Sequence, residues 1–205
     1  MDNTNRIFKS PSSILAFSLI AFWPGFSNAQ EASYFDYNVI NTQLSAMVTP
    51  MDSLDIINWK VGDTAEYNVA VGTFGVYGTL KKFVSKDEGA ALWIRQDLNL
   101  SIQKQQVDML INKADGKVLK LIVNGKEQAV PDDKIEIISQ DYAEVTVPAG
   151  TFKTVHVIAK TKQIPTLEVW LNPREVVLEG TIKQIATTTF NIDIKMELTS
   201  FKRGQ

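Results

Sequence analysis

The sequence lacks cysteine altogether and contains one histidine, His156. Without cysteine there can be no disulfides, thiolate metal ligands or cysteine nucleophiles. A single imidazole would leave a zinc site dependent on carboxylates, so we predict no metal site and no cofactor. The formal net charge of −2 gives no overall attraction to nucleic acid or anionic lipid, and we expect no nucleic-acid partner.

Residues 1–29 have the layout of a secretory signal peptide. Two basic residues precede an apolar run over 14–23, which is too short to span a bilayer comfortably. Pro24 and Gly25 end this run, and small residues then stand one and three positions before Gln30. The pattern is typical of a leader that is removed after export, and an uncleaved membrane anchor is the alternative.

Removal of the leader would leave about 176 residues, which is enough for one domain with a core. Loss of Asp2, Arg6 and Lys9 would change the formal charge to about −3. No cysteine follows the apolar run, so a lipoprotein anchor is excluded, and no later stretch is apolar enough to cross a membrane. We therefore predict a periplasmic or secreted protein of a Gram-negative bacterium, without a transmembrane anchor after cleavage and without disulfides.

The remaining chain divides into a lead-in and one β-rich domain. The lead-in covers 30–58, and 41–48 within it could form a short helix. The domain covers 59–205. From Thr64 onward apolar and polar residues alternate, which is typical of strands with one buried face.

Polar turns separate the first strands of this domain. The strand-like runs 76–84 and 90–98 flank a Lys-Asp-Glu-Gly turn and are predicted to form a hairpin. An Asp-Gly turn at 115–116 and an Asn-Gly turn at 124–125 predict a meander, because both sequences tolerate positive φ. A helix over 103–111 is the alternative.

The second half of the domain begins with a predicted helix. Asp132 or Asp133 could cap a short helix through Ile135, Ile137 and Ile138. Further strands are predicted over 151–162, 167–171, 176–185 and 190–198, with an Asn-Pro turn over 172–175.

The patterns predict about nine strands joined by short polar turns, and these strands define the predicted fold class. We predict an all-β, mainly antiparallel fold, in the form of a curved sheet or a partly open β-barrel. One or two short helices are expected to cover the sheet.

The segment Val-Pro-Ala-Gly-Thr-Phe, residues 147–152, is predicted to be a structural corner of the sheet. Pro148 cannot donate to a sheet ladder, so the preceding strand should end there. Gly150 supplies the positive φ of a tight turn, and Phe152 returns a large apolar side chain to the sheet. No side chain typical of catalysis stands in this turn.

Three stretches resemble a known group of exported bacterial proteins. They are V-T-V-P-A-G-T-F-K-T-V-H-V at 145–157, the Trp-x-x-Pro segment within 169–173, and W-K-V-G-D-T-A-E-Y at 59–67. Over roughly 59–200 the chain resembles domain-of-unknown-function family 3108. It departs from the usual Gly or Val pattern after Pro173, where Arg-Glu-Val-Val stands. The resemblance implies a periplasmic β-rich fold, similar to the open barrel of lipoprotein carriers, and implies no catalytic residue.

No catalytic constellation is found, so we predict that the protein is not an enzyme. His156 lies between valines on a strand and is interpreted as a solvent-facing or hydrogen-bonded sheet residue. The carboxylates Asp132, Asp133 and Glu136 do not match a calcium loop and fit a helix N-terminus better. Lysines on strands, including Lys81-Lys82, are interpreted as solubilising residues.

The leading functional hypothesis is a binding module for an apolar ligand, such as a lipid or acyl chain, on the curved sheet. The predicted lining is Trp93, Trp170, Phe190, Ile192, Ile194, Met196 and Leu198. The alternative hypothesis is a structural or partner-binding envelope protein with a closed core and no small-molecule ligand.

Overall fold

A computed structural model describes residues 57–72, 76–130, 135–161, 164–188 and 191–205. Eleven strands are present in these ranges: β1 Thr64–Val71, β2 Val76–Asp87, β3 Ala91–Leu100, β4 Lys104–Asn112, β5 Val118–Val123, β6 Lys126–Gln128, β7 Glu136–Val147, β8 Gly150–Lys160, β9 Thr166–Leu171, β10 Thr181–Thr187 and β11 Asp193–Lys202. The predicted signal peptide, most of the lead-in and the possible helix at 41–48 lie outside the described residues.

All eleven strands belong to one antiparallel sheet in the order β6-β5-β4-β3-β2-β1-β11-β10-β9-β8-β7. Neighbours in this order are also neighbours along the chain, except that β1 pairs with β11. The sheet therefore consists of two meanders joined along their first and last strands. The predicted all-β antiparallel fold is confirmed, as are the hairpin and the meander of the first half.

One face of the sheet carries the core, because side chains alternate between faces along each strand. In β3, Leu92, Ile94 and Leu98 are at most 3 % exposed, whereas Trp93 and Arg95 between them are only partly buried. The facing positions of β4, β11 and β9 continue this inner face with Met109, Met196 and Val169 among others.

The sheet curves strongly toward its inner face. Tyr67 on β1 donates a hydrogen bond to the carbonyl of Thr181 on β10, across the intervening β11. The turn between β7 and β8 also reaches back, because the amide of Ala149 donates to the carbonyl of Leu198 over 3.0 Å. The sheet is not closed into a barrel, since β6 and β7 remain as its two edges.

A buried aspartate ties the start of the sheet to its end. Asp63 is fully buried and accepts hydrogen bonds from the Arg203 guanidinium, over 2.9 Å, and from the Gly204 amide, over 2.7 Å. The Val-Gly-Asp turn at 61–63 therefore also holds the C-terminal residues Arg203 and Gly204 against the start of the sheet. A buried carboxylate of this kind is stable only when charge and hydrogen bonds compensate it.

Two sequence predictions about the second half were wrong. No helix runs through Ile135, Ile137 and Ile138, because strand β7 begins at Glu136 and pairs with β8. The strand predicted over 176–185 begins only at Thr181, and the five residues before it form a loop. Within the described residues that loop, rather than a helix, covers the inner face. Asp132 and Asp133 lie outside the described residues.

Candidate functional site

The structure separates the predicted lining residues instead of gathering them. Ile194, Met196 and Leu198 lie on the inner face and are 5 %, 2 % and 0 % exposed, so they are part of the core. Trp93 and Trp170 lie on the outer face. Ile192 precedes β11 and is partly buried, and Phe190 lies outside the described residues.

The predicted corner at 147–152 is a two-residue hairpin turn. Val147 pairs with Gly150, so Pro148 and Ala149 are the turn residues. Gly150 has a φ of 139°, which an L side chain rarely adopts. Phe152 is buried and makes an edge-to-face contact with Phe201 on β11, with ring centroids 6.4 Å apart.

A cluster of polar side chains is buried on the inner face. Lys82 on β2 is fully buried and forms an ion pair with Glu179, which is 4 % exposed. The Lys82 ammonium also lies 5.3 Å from the centroid of the Tyr67 ring, and Thr181 donates to the Glu179 carboxylate. Interpretation of Lys82 as a solubilising residue was therefore wrong, because it points into the core.

Burial shifts the ionisation of two members of this inner cluster. Desolvation lowers the pKa of Lys82, and the nearby Glu179 carboxylate offsets part of that effect. Desolvation raises the pKa of Tyr67 well above its ordinary value, and the negative charge of Glu179 raises it further. Both directions follow from the cost of a charge inside a low-dielectric core.

Gln96 adds an unusual feature to the inner cluster. It is the cross-strand partner of Lys82 and is 1 % exposed. In the described part of the chain, neither its amide nitrogen nor its amide oxygen has a hydrogen-bond partner. A buried amide without partners costs free energy, so native structures rarely contain one.

On the outer face, a row of side chains crosses five neighbouring strands. Cross-strand pairing places side by side Asp141 on β7, His156 on β8, Trp170 on β9, Lys183 on β10 and Glu197 on β11. The His156 and Trp170 rings stack with centroids 4.4 Å apart, and the Lys183 ammonium lies 5.0 Å from the Trp170 centroid.

The outer row is arranged as a stabilising ladder. His156 and Lys183 belong to the strands on either side of Trp170, and both lie against its ring. The two imidazole nitrogens lie 3.2 Å and 3.3 Å from carboxylate oxygens of Asp141 and Glu168. The sequence prediction of a hydrogen-bonded sheet histidine describes His156 correctly.

Strand β7 is the longer of the two sheet edges. It has 12 residues, whereas β6 at the opposite edge has three. Among the described strands β7 pairs with β8 alone, so the backbone groups along its other side have no strand partner there. Its side chains include Ile138 and Tyr142, which are 56 % and 75 % exposed.

The cross-strand register explains why sequence reasoning missed the inner cluster and the outer row. Lys82 stands two residues from both Leu80 and Val84, so the period of a strand already places it on the buried face. The burial of Lys82 could therefore be predicted from the sequence. The meeting of Lys82 with Glu179, 97 residues later, was not readable without the order of strands.

Within the described ranges, no group of three or more histidine, aspartate or glutamate side chains is arranged to hold a metal ion. In the same ranges, no helix has the length and apolar character needed to cross a membrane.

The fold and the described sites define an all-β protein built on one open antiparallel sheet. No protein-family model matches the chain, and no curated protein matches it. Solved structures with partial similarity include MucB in complex with MucA(peri), at a TM-score of 0.40 and 12% identity over 70% of this chain and 50% of that one.

Two further structures are similar to a comparable degree. The Pseudomonas aeruginosa MucA/MucB complex gives a TM-score of 0.41 at 12% identity, covering 70% of this chain and 52% of that one. A candidate exported protein with a YmcC-like fold from Bacteroides fragilis gives 0.41 at 10% identity, covering 72% and 98%. The chain thus spans about half the length of the MucB chains it matches. Similarity this low assigns neither a family nor an activity.

Proposed function

We propose that this chain is an exported envelope protein that binds an extended segment of a partner protein along the edge of β7 that pairs with no other described strand. Export rests on the predicted leader, and the resemblance to family 3108 stays a prediction consistent with it. The observation that carries the binding proposal is the length of β7 as an edge strand. Unpaired amides and carbonyls along such an edge are a template for one more strand.

The protection that edge strands commonly carry is incomplete on β7. Natural edges are kept from pairing by short strands, charged side chains (lysine above all), proline or bulges. The β6 edge is short and carries Lys126. In contrast, β7 contains neither lysine nor proline, and its one irregularity lies between Ile137 and Ser139. The nine residues after this bulge offer a regular edge for pairing.

The side chains of β7 indicate the chemistry of the partner segment. Three carboxylates and no cation lie on this strand, namely Glu136, Asp141 and Glu144. Lys160 and His156 on β8 already contact the first two, so Glu144 is the carboxylate that a partner would meet most directly. Exposed Tyr142 stands between two of them. A partner strand with an arginine or lysine beside an apolar residue would match this pattern. Pairing with β7 of a second copy is disfavoured, because each strand would bring the same three carboxylates.

The apolar-ligand hypothesis has less support at the predicted lining. Its inner residues are already buried against the core, and its two tryptophans lie on the other face. The alternative reading, a partner-binding protein with a closed core, agrees better with these positions.

Photo-crosslinking in cells tests the proposal. A benzophenone amino acid at position 142 should yield a discrete adduct with one partner protein. The matched control is position 77 on β2, since Tyr77 is also strongly exposed, at 65 %, but lies on a strand with neighbours on both sides. Adducts from position 77 but not from position 142, or no adduct from either, would contradict the proposal.

A pair of substitutions sharpens the assignment. Tyr142→Ser should reduce recovery of the partner about tenfold, which corresponds to ~1.4 kcal/mol, because exposed aromatics commonly anchor interfaces. Tyr77→Ser should leave recovery unchanged. Equal losses from both variants would indicate that exposed tyrosines act nonspecifically.

A further inference from the structure

The loop between β9 and β10 places a short apolar segment against the inner face and ends it with a carboxylate. Val176, Val177 and Leu178 are 0 %, 2 % and 3 % exposed although they belong to no strand. Glu179 follows directly and pairs with Lys82. In chemical terms, segment 176–179 is an apolar chain that carries a carboxylate at one end.

The part of the inner face that contacts this segment offers a cation and apolar side chains, which complement a carboxylate on an apolar chain. Lys82 provides the cation, and Leu80 and Val84 flank it on the same strand. Gln96 lies directly opposite Lys82 with a buried amide donor and acceptor that have no hydrogen-bond partner in the described part of the chain. The segment therefore leaves the donor and the acceptor of the Gln96 amide without hydrogen bonds from the described residues, next to the ion pair.

The segment is also held in an unfavourable conformation. Leu178 has a φ of 57°, in the left-handed region that bulky residues rarely adopt. Backbone strain of this kind is typical of segments that move or bind. Strain lowers the cost of displacing segment 176–179 by another group.

We propose that the inner face around Lys82 and Gln96 is a binding site for a fatty-acid-like carboxylate, which segment 176–179 occupies from within the chain and which an external ligand reaches by displacing it. The ligand carboxylate takes the place of Glu179 on Lys82. Its second oxygen accepts from the Gln96 amide, and its apolar chain takes the place of the three buried apolar side chains. This site is independent of the β7 edge, so either can fail alone.

The intact chain provides the first test, with octanoate as the probe. Octanoate should raise the melting temperature by several degrees and speed amide hydrogen exchange in the loop over 176–180. Octanol, which has the same chain without the charge, and N-acetylglycine, which has the carboxylate without the chain, separate the two contributions. A response to N-acetylglycine alone would point to a peptide carboxylate and overturn the fatty-acid assignment. No response to octanoate would overturn the site itself.

A cavity-rescue experiment provides the second test. Glu179→Ala removes the internal carboxylate, so octanoate should bind this variant at least tenfold more tightly than the natural chain. Lys82→Met should abolish binding in either background. If Glu179→Ala does not fold, Glu179→Gln replaces it, with the same order of affinities expected. Equal octanoate affinity with and without Lys82 would contradict the proposal.

Discussion

The two polar clusters of this sheet contain similar side chains in opposite surroundings. On the inner face, Lys82 and Glu179 meet with almost no exposure to water. On the outer face, Lys183 lies 3.9 Å from Glu197, with both side chains more than a fifth exposed. The exposure of each pair to water, rather than the identity of its residues, decides how much the pair contributes to the free energy of unfolding.

The surroundings predict different consequences for the two clusters. A buried pair has lost its hydration, so removal of one partner leaves an uncompensated charge in the core. The outer pair keeps contact with water, and Glu197 also lies 2.7 Å from the Lys195 ammonium, so the loss of Lys183 should cost less. Substitutions on the inner face should therefore act on stability, and those on the outer row should act weakly.

The largest effect is expected from Glu179→Gln. Loss of the carboxylate leaves the Lys82 ammonium buried without its counter-charge, and we expect a loss of about 3–5 kcal/mol in the free energy of unfolding. Urea denaturation measures it. The double variant Lys82→Met, Glu179→Leu is the control and should recover most of the loss, because neither charge is then buried. A loss below ~1 kcal/mol for Glu179→Gln would contradict the prediction and would show that Lys82 is hydrated or uncharged in the variant.

The second effect concerns stability at alkaline pH. The pKa of Tyr67 is raised in the folded state, so above its ordinary value of 10.0 the unfolded chain loses this proton while the folded chain retains it. Stability must then fall as the pH rises above 10. Lys82 has a lowered pKa and contributes the opposite slope below 10.5, where its unfolded form still holds a proton.

Tyr67→Phe isolates this contribution. The variant loses one hydrogen bond to Thr181, an offset of about 1 kcal/mol that does not depend on pH in the neutral range. Above pH 10.5 its stability should fall less steeply than that of the natural chain. The measurement is chemical denaturation at a series of pH values, and parallel curves for the two proteins would contradict burial of the Tyr67 hydroxyl.

The smallest effect is expected on the outer row. A double-mutant cycle with His156→Ala and Trp170→Ala should give a coupling of about 0.5–1.5 kcal/mol, as expected for stacked rings. Lys183→Met should change stability by less than ~1 kcal/mol. A coupling above that of the inner pair would reverse the comparison between the two faces.

Strand positions could be predicted from the sequence because a sheet with one buried face imposes a period of two on its residues. The period located β1, β8 and the inner side chains of β11. It failed where tertiary contacts override local preference. At Ile135–Ile138 pairing with β8 prevails over a possible helix cap. At Val176–Leu178 burial against the inner face prevails over strand propensity, and the left-handed Leu178 ends any extended run.

The candidate sites were less predictable than the fold. The inner ion pair, the outer row and the position of β7 at an edge all depend on the order of strands in the sheet. Turn sequences indicate which consecutive strands pair, but they do not indicate that β1 pairs with β11. Of the three carboxylates of β7, the sequence analysis discussed Glu136 alone and assigned it to a helix that does not form.

The measurement that tests the central claim most directly is amide hydrogen exchange of this protein. It is made on the protein alone and on its mixture with the partner protein that the photo-crosslinking identifies. We predict that partner binding slows exchange at alternate residues over 139–147, since one more antiparallel strand bonds every second amide of β7. Amides of the interior strand β2 should not change. Slower exchange in the loop over 172–180 with no change in β7 would contradict the account and move the partner site to the loop.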